Sequence, residues 1–246
     1  MKYVDLNCDM GEGCGNDADL MNYVSSVNVA CGFHAGDAAT MRRTVDTAVE
    51  KNVAIGAHPG YPDKNNFGRI AMDMSLMDVK EIVAEQILAL RDVCIDAGAK
   101  LTHVKPHGAL YNESAKDPDL AVAIAEAVHA VDQKLILYGL AGSYSVRMAR
   151  KIGLRAASEA FADRTYQPDG SLTARTLPHA LIAETSSAQC QVLQMVERGS
   201  VTAVTGVAVP IEAQTVCIHG DGEHALEFAR VIYHTLIDHG IEVQPV

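Results

Sequence analysis

The chain has 246 residues, 48% of them hydrophobic, with 20 basic against 31 acidic side chains and a formal net charge of −11. That length suits one α/β barrel, which forms a single domain over roughly 200–250 residues, and the charge excludes nucleic acid and anionic membranes as general partners, because its long-range field repels phosphate. Ten histidines stand against four phenylalanines, eight tyrosines and no tryptophan.

Short β-like runs alternate with amphipathic segments from end to end, without a Pro/Ser-rich linker, so residues 1–246 are expected to form one βαβα domain on a parallel sheet. The first strand is expected at Tyr3–Asn7 and the second at Val27–Cys31, followed by a helix over about 38–51 and a strand at Val53–Ala57. Ser75 opens a helix with Ile82, Val83, Ile87, Leu88 and Leu90 on helical spacing, and Gly98 stands where a cap would close it. A strand at Leu101–Lys105 precedes Asp117-Pro118, an N-cap followed by proline at the first helical position. Strands at Leu135–Tyr138 and Leu154–Ala157 alternate with helices near 144–152 and 185–198. Val201–Val204 and Val207–Val209 around Thr205-Gly206 read as an inserted hairpin, ahead of a last strand at Thr215–Ile218 and a helix over about 222–239. This gives about seven parallel strands.

Six cysteines lie scattered with no C-x-x-C pair, which predicts reduced thiols and a cytoplasmic protein. The opening Met1-Lys2-Tyr3-Val4-Asp5-Leu6 has no apolar signal region, and no run reaches the ~18 apolar residues of a membrane span.

Alternation along a strand places Asp5, Asn7 and Asp9 on one side and Val4, Leu6 and Cys8 on the other. His103, Lys105 and His107 share a second such face, with Thr102, Val104 and Pro106 opposite. His34 with Asp37, His58, Glu159 with Asp163 and Arg164, and His219 with Asp221 follow at other strand ends. An open sheet concentrates its site beside one switch point, whereas a barrel gathers residues from many strand ends, so this distribution predicts a barrel. Gly11-Glu12-Gly13-Cys14-Gly15 fails the dinucleotide fingerprint because Asn16 takes the third glycine position, and there is no P-loop.

His103 and His107 on a strand stand roughly 13 Å apart, too far for a helical zinc pair. His34, His58, His103, His107 and His219 are expected to line the mouth of the barrel. His129, His179, His224, His234 and His239 have ordinary helix or loop surroundings, and Cys217 reads as a small core filler rather than a nucleophile.

Five blocks carry a family resemblance: Asp5–Gly13, Asn28–Asp37, Gly56–Asp63, His103–Tyr111 and Cys217–Asp221, joined by Glu159–Arg164 with Tyr166, Asp169-Gly170, Leu172 and Arg175. In these the chain resembles the LamB/YcsF family over its whole length. The resemblance implies a single distorted (β/α) barrel, glycoside hydrolase/deacetylase-like. It also implies ATP-dependent opening of 5-oxo-L-proline to L-glutamate by a 5-oxoprolinase of three subunit kinds, with ATP bound or used through the two other subunit types. One departure is Ile70 after Arg69, where the family commonly shows a second arginine.

Hydration of an activated lactam needs a base, cleavage of the C–N bond needs an acid, and developing negative charge needs a cation. The candidate catalytic residues are Asp9, Glu12, His34, Lys105, His107, Glu159 and His219: Asp9 or Glu12 with His34 as base, His107 or His219 as acid, Lys105 as the cation. The candidate substrate-binding residues are Asn7, Asp37, His58, Arg69, Asp163, Arg164 and Asp221, with Arg69 or Arg164 on the substrate carboxylate. Two alternatives stand beside this reading: a metal-dependent deacetylase holding a divalent ion on Asp9, His34 and His58, and a non-catalytic subunit that binds 5-oxoproline for its partners.

Overall fold

The computed structural model describes residues 2–220 and 225–246. In chain order its strands are β1 (Lys2–Met10), β2 (Ser26–Ala30), β3 (Ala54–His58), β4 (Leu101–Val104), β5 (Ile136–Leu140), β6 (Arg155–Phe161), β7 (Ser200–Thr202), β8 (Ala208–Pro210), β9 (Thr215–Cys217) and β10 (Ile241–Val243). The helices are α1 (Asp17–Leu20), α2 (Ala38–Lys51), α3 (Leu76–Asp96), α4 (Gly108–Ser114), α5 (Pro118–Val131), α6 (Tyr144–Lys151), α7 (Thr185–Arg198) and α8 (Ala225–Asp238). Strands β1 to β6 pair in sequence order, β6 pairs with β9, and β9 pairs back onto β1, which closes a seven-stranded parallel barrel. β7 and β8 form the expected separate antiparallel hairpin.

Several boundaries differ from the expectation for physical reasons. β1 runs on to Met10 because β2 pairs with it along Asn7–Met10. β10 adds to Lys2–Val4 on the edge that β9 leaves open below Asp5. β4 ends at Val104, ahead of Pro106, which has no N–H to give; Lys105 N still donates to Ala57 O at 2.9 Å and His107 N to Pro59 O at 2.8 Å. The short helices α1 and α4 carry too little periodicity to be read in advance. The helix expected from 222 is described from Ala225, so its first turn, with His224, lies outside the described residues.

Three helix starts follow their local chemistry: Asp37 caps α2 through Thr40 N, Ser75 caps α3 through Asp78 N, and Asp117 caps α5 with Pro118 in its first turn. Val4, Leu6, Cys8 and Met10 of β1 are fully buried among helix side chains such as Val45, Val83, Ile87, Leu90 and Ile232. Each such aliphatic side chain stabilises the fold by about 1.5–3 kcal/mol. The apolar core is therefore the shell between strands and helices. The barrel interior is polar, holding Asp5, Asn7, Ser26, Asn28, His103, Lys105, Glu159 and Thr215, all buried. At the N-terminal end of the strands, Ile136, Tyr138 and Ala157 pack with Val246. Among the described residues, no helix is long and apolar enough to cross a membrane.

Gly56 on β3 makes room for this interior. A Cβ there would fall 2.1 Å from the His103 ring, which stacks on Tyr138 with centroids 4.2 Å apart. Overpacking of this kind costs about 1–3 kcal/mol or more. Gly56→Ala is expected to lower unfolding free energy by at least about 2 kcal/mol in urea titration, with the m-value unchanged.

Candidate active site

The site is built upward from the barrel floor. Asp5 accepts hydrogen bonds from Ser25 Oγ (2.6 Å), Ser26 Oγ (2.7 Å) and Thr215 Oγ1 (2.6 Å). One layer higher, Asn7 Nδ2 donates to Thr215 Oγ1 (2.7 Å) and Glu159 Oε1 (3.0 Å), while Asn28 Nδ2 donates to Asn7 Oδ1 and Asp9 Oδ1, both at 2.8 Å. His103 Nε2 donates to Asn28 Oδ1 at 2.9 Å. Burial, reinforced by the Lys105 charge, pushes His103 down to about 3.

The Lys105 ammonium sits on this scaffold, 2.9 Å from Asp9 Oδ1, 2.9 Å from Glu159 Oε1, 3.3 Å from Asn7 Oδ1 and 3.1 Å from Cys217 Sγ. Burial disfavours its charge, yet Asp9, Cys217 and Glu159 together hold it well above the ordinary lysine range. It stays a cation. Burial would raise Asp9, but His58 and Lys105 override it and hold the carboxyl well below its usual value.

Around Asp9 the ends of four strands converge. His58 Nδ1 donates to Lys105 O (2.7 Å), and its Nε2 lies 2.9 Å from His107 Nδ1, 3.4 Å from Asp9 Oδ2 and 3.8 Å from Glu12 Oε1. His107 Nε2 donates to Phe67 O (2.9 Å) and its Nδ1 is 3.3 Å from Glu12 Oε1. His34 stacks on His107 with centroids 3.8 Å apart and places Nε2 3.1 Å from Glu12 Oε1. Gly68, at φ +60, lets the chain pass: a Cβ there would fall 2.8 Å from His34 Cβ. Gln86 of α3 pins the neighbouring loop through Gly60 N and O, at 3.0 and 2.9 Å. Burial pushes His34 to about 3 and His107 to about 2, with His58 adding to both. Burial also lowers His58, but Asp9 outweighs it and raises that ring above its usual value. Glu12 is raised by burial.

These groups form one wall of a cleft of about 450 Å³, whose other sides are Tyr111, Leu140, Phe161, Leu172 and the segment 171–176. Arg69, Lys116, Arg164 and Arg175 also line it. His219, with a ring nitrogen within 4.8 Å of Asp9 and Cys217, stacks on Phe161 and places Nδ1 2.8 Å from both Asp163 carboxylate oxygens. Nδ1 therefore carries the proton, and the bare Nε2 accepts from Arg175 Nη2 at 2.9 Å. Burial opposes the Asp163 charge, but His219 and Arg175 prevail and lower its pKa.

Of the predicted residues, Asp9, Glu12, His58, Arg69, Lys105, His107, Arg164 and His219 line the cleft. Glu159 and Asn7 lie beneath it and hold Lys105, and His34 stands behind Glu12. Asp163 orients His219. Two readings are corrected. Asp37 is the exposed N-cap of α2. His103 lies inside the barrel, below the mouth. Arg164 lines the cleft while its Nη2 donates to Thr173 O at 2.6 Å, pinning the loop after β6. Cys217 is the buried filler expected, its thiol pushed up by burial. Asp221 lies outside the described residues. Sequence reasoning missed Tyr111, Lys116 and Arg175 as cleft residues, although Tyr111 stands one helical turn after His107, where a helix starting there returns to the same face.

The fold and the site define a seven-stranded (β/α) barrel with histidine, carboxylate and lysine groups gathered at the mouth. A family 4 carbohydrate esterase from Streptomyces lividans shares the fold alone, at a TM-score of 0.50 and 14% identity over 98% of this chain and 91% of that one. The chain belongs to the LamB/YcsF family, whose model matches residues 4–246. It is 54% identical to a 5-oxoprolinase subunit from Geobacillus kaustophilus over 99% of this chain and 97% of that protein. The lactam utilization protein from Thermus thermophilus matches its full length at a TM-score of 0.94 and 42% identity.

The depressed pKa of His103 gives the fold a pH dependence with a definite sign. Below about 6.5 the unfolded ring takes a proton that the folded ring refuses until about pH 3. Stability is thus fully present above about 6.5 and is lost as pH falls through this window, by up to about 1.4 kcal/mol per pH unit. His103→Gln is expected to flatten the slope of unfolding free energy against pH by about one proton between pH 6 and 4; an unchanged slope counts against a neutral His103.

Proposed function

We propose that this chain is the ring-opening component of an ATP-dependent 5-oxoprolinase, converting 5-oxo-L-proline to L-glutamate with two other subunit types in the cytoplasm. The observation that carries the reading is the pairing, across one cleft, of a permanently charged Lys105 with a histidine whose bare nitrogen is aimed by a carboxylate. Relatives named as subunits of 5-oxoprolinase, at 54% and 52% identity over nearly the whole chain, support it. ATP is a substrate of the assembly. Phosphorylation of the lactam oxygen belongs to the partner subunits, because this sequence has no P-loop.

The substrate carboxylate binds among Arg69, Arg164 and Arg175. Drawing Arg175 to that carboxylate frees His219 Nε2, the nitrogen to which Arg175 otherwise donates. His219 takes a proton from water as the water oxygen bonds to the lactam carbon. Lys105 faces the negative charge that develops there. The C–N bond then breaks with its electron pair going to nitrogen, His219 returns its proton to that atom, and the hydroxyl proton of the adduct leaves to solvent as the carbonyl forms. The resulting γ-glutamyl phosphate is hydrolysed by a second water to glutamate and phosphate. Asp163 holds the imidazole in the productive tautomer throughout. Asp9 serves as the counter-ion of Lys105 rather than as base, since its depressed pKa leaves little affinity for a proton.

In the reconstituted three-component complex, His219→Asn and Lys105→Met are each expected to cut ATP-dependent glutamate formation by about 10²–10⁴-fold. Asp163→Asn, which presents a neutral amide to the ring, should lower kcat with little change in KM. Near-normal turnover of the two folded variants His219→Asn and Asp163→Asn would remove His219 from the chemistry.

A further inference from the structure

Glu12, His58 and His107 present three donor atoms to a single point, and the hydrogen bonds behind them fix which atoms these are. His58 Nδ1 and His107 Nε2 both face backbone carbonyl oxygens, Lys105 O at 2.7 Å and Phe67 O at 2.9 Å. A carbonyl only accepts, so both protons belong on those nitrogens. The opposite nitrogens, His58 Nε2 and His107 Nδ1, then present lone pairs toward each other at 2.9 Å, with Glu12 Oε1 at 3.8 and 3.3 Å. Three electron pairs converging in a buried site suit one shared cation. A proton on His58 Nε2 bridges only the two rings, while Glu12 Oε1 takes its hydrogen bond from His34 Nε2 at 3.1 Å.

We propose that Glu12 Oε1, His58 Nε2 and His107 Nδ1 form a three-ligand centre for a divalent transition-metal ion, with a fourth position open to the cleft. The size is right. A triangle with sides 2.9, 3.3 and 3.8 Å has a circumradius of about 2.0 Å, so one point lies within the ~2.0–2.2 Å of zinc–nitrogen and zinc–oxygen bonds from all three atoms. Two imidazoles with one carboxylate favour zinc, or cobalt and nickel, over magnesium or calcium, which prefer all-oxygen sites. All three residues line the cleft, which leaves the remaining coordination position for water or substrate. His34 is not a ligand: it stands behind Glu12 and steadies the same oxygen at 3.1 Å, as the two carbonyls steady the histidines. The set differs from the Asp9, His34 and His58 trio expected from the sequence: Asp9 Oδ1 is held by Lys105 and Asn28, and Glu12 Oε1 is the carboxylate oxygen near both His58 Nε2 and His107 Nδ1. A metal there would supply an acidified water or a Lewis acid beside the lactam carbon.

The test reads metal, not turnover, so it stands or falls separately from the ring-opening proposal. Chelator-treated full-length protein is titrated with Co²⁺, followed by its visible d–d absorption, and with Zn²⁺, followed by calorimetry and metal analysis after desalting. One ion per chain is expected, with binding weakened at least 100-fold in His58→Ala and His107→Ala and about 10–100-fold in His34→Ala. His219→Ala should bind as the wild type does, since His219 is no part of the donor set and its ring nitrogens face Asp163 and Arg175. Circular dichroism confirms that each variant is folded. Absence of stoichiometric uptake by the wild-type chain overturns the proposal, and so does uptake lost in His219→Ala but kept in His107→Ala.

Discussion

A lysine ammonium in the middle of a β-barrel is the constraint on which the remaining polar structure depends. Taking such a charge out of water costs several kcal/mol even after relaxation, and only close partners offset it. Lys105 has two carboxylates at 2.9 Å, an amide oxygen at 3.3 Å and a thiol at 3.1 Å. Those partners need holding in turn. Asn28 and Asn7 restrain Asp9 and Glu159, while Thr215 and the two serines hold Asp5 in the layer below. Many (β/α) barrels fill this space with branched aliphatics. Here the interior is a hydrogen-bonded stack, and the apolar core is displaced to the strand–helix shell.

The stack also apportions charge at the mouth. Asp9 is held negative by His58 and Lys105 together, and Asp9 in turn raises His58. The remaining rings, His34 and His107, are kept neutral chiefly by burial. Burial and the mutual charges of Asp9, His58 and Lys105 thus set the protonation of the cluster together. The cleft also answers the problem posed by the net charge of −11, since the acidic excess is spread over the whole chain while Arg69, Lys116, Arg164 and Arg175 face the cleft. A small anion meets a local field opposite in sign to the distant one.

Much of this was legible in β1. Alternation alone placed Asp5, Asn7 and Asp9 together and facing inward, and the abundance of polar strand ends distinguished a barrel from an open sheet. The same alternation was less instructive at His103, Lys105 and His107. It gave the correct side for the first two, but His107 reaches its place as the residue before α4, after the strand has ended. Asp37 shows the opposite failure, since an acidic residue after a strand is as good a helix cap as a ligand, and its sequence neighbours are the same in either role. Depth was illegible too. His103 and His107 are four residues apart, yet one stacks on Tyr138 inside the barrel and the other lines the cleft, and the difference is set by Gly56 and Gly68 on other segments.

The histidines of the site fall into two groups that differ in how they hold a proton. On one side of this division, His219 has a carboxylate on Nδ1 and an arginine on Nε2. On the other, His58 and His107 are anchored to carbonyls that cannot give or take a proton, and their ring orientation is fixed before anything binds. A group that shuttles protons benefits from a partner that stabilises its charged form, as Asp163 does for His219. A group that holds a cation benefits from a rigid, neutral anchor that leaves its lone pair aimed at one point. Lys105, paired with Asp9 and Glu159, adds a fixed positive charge to the same site.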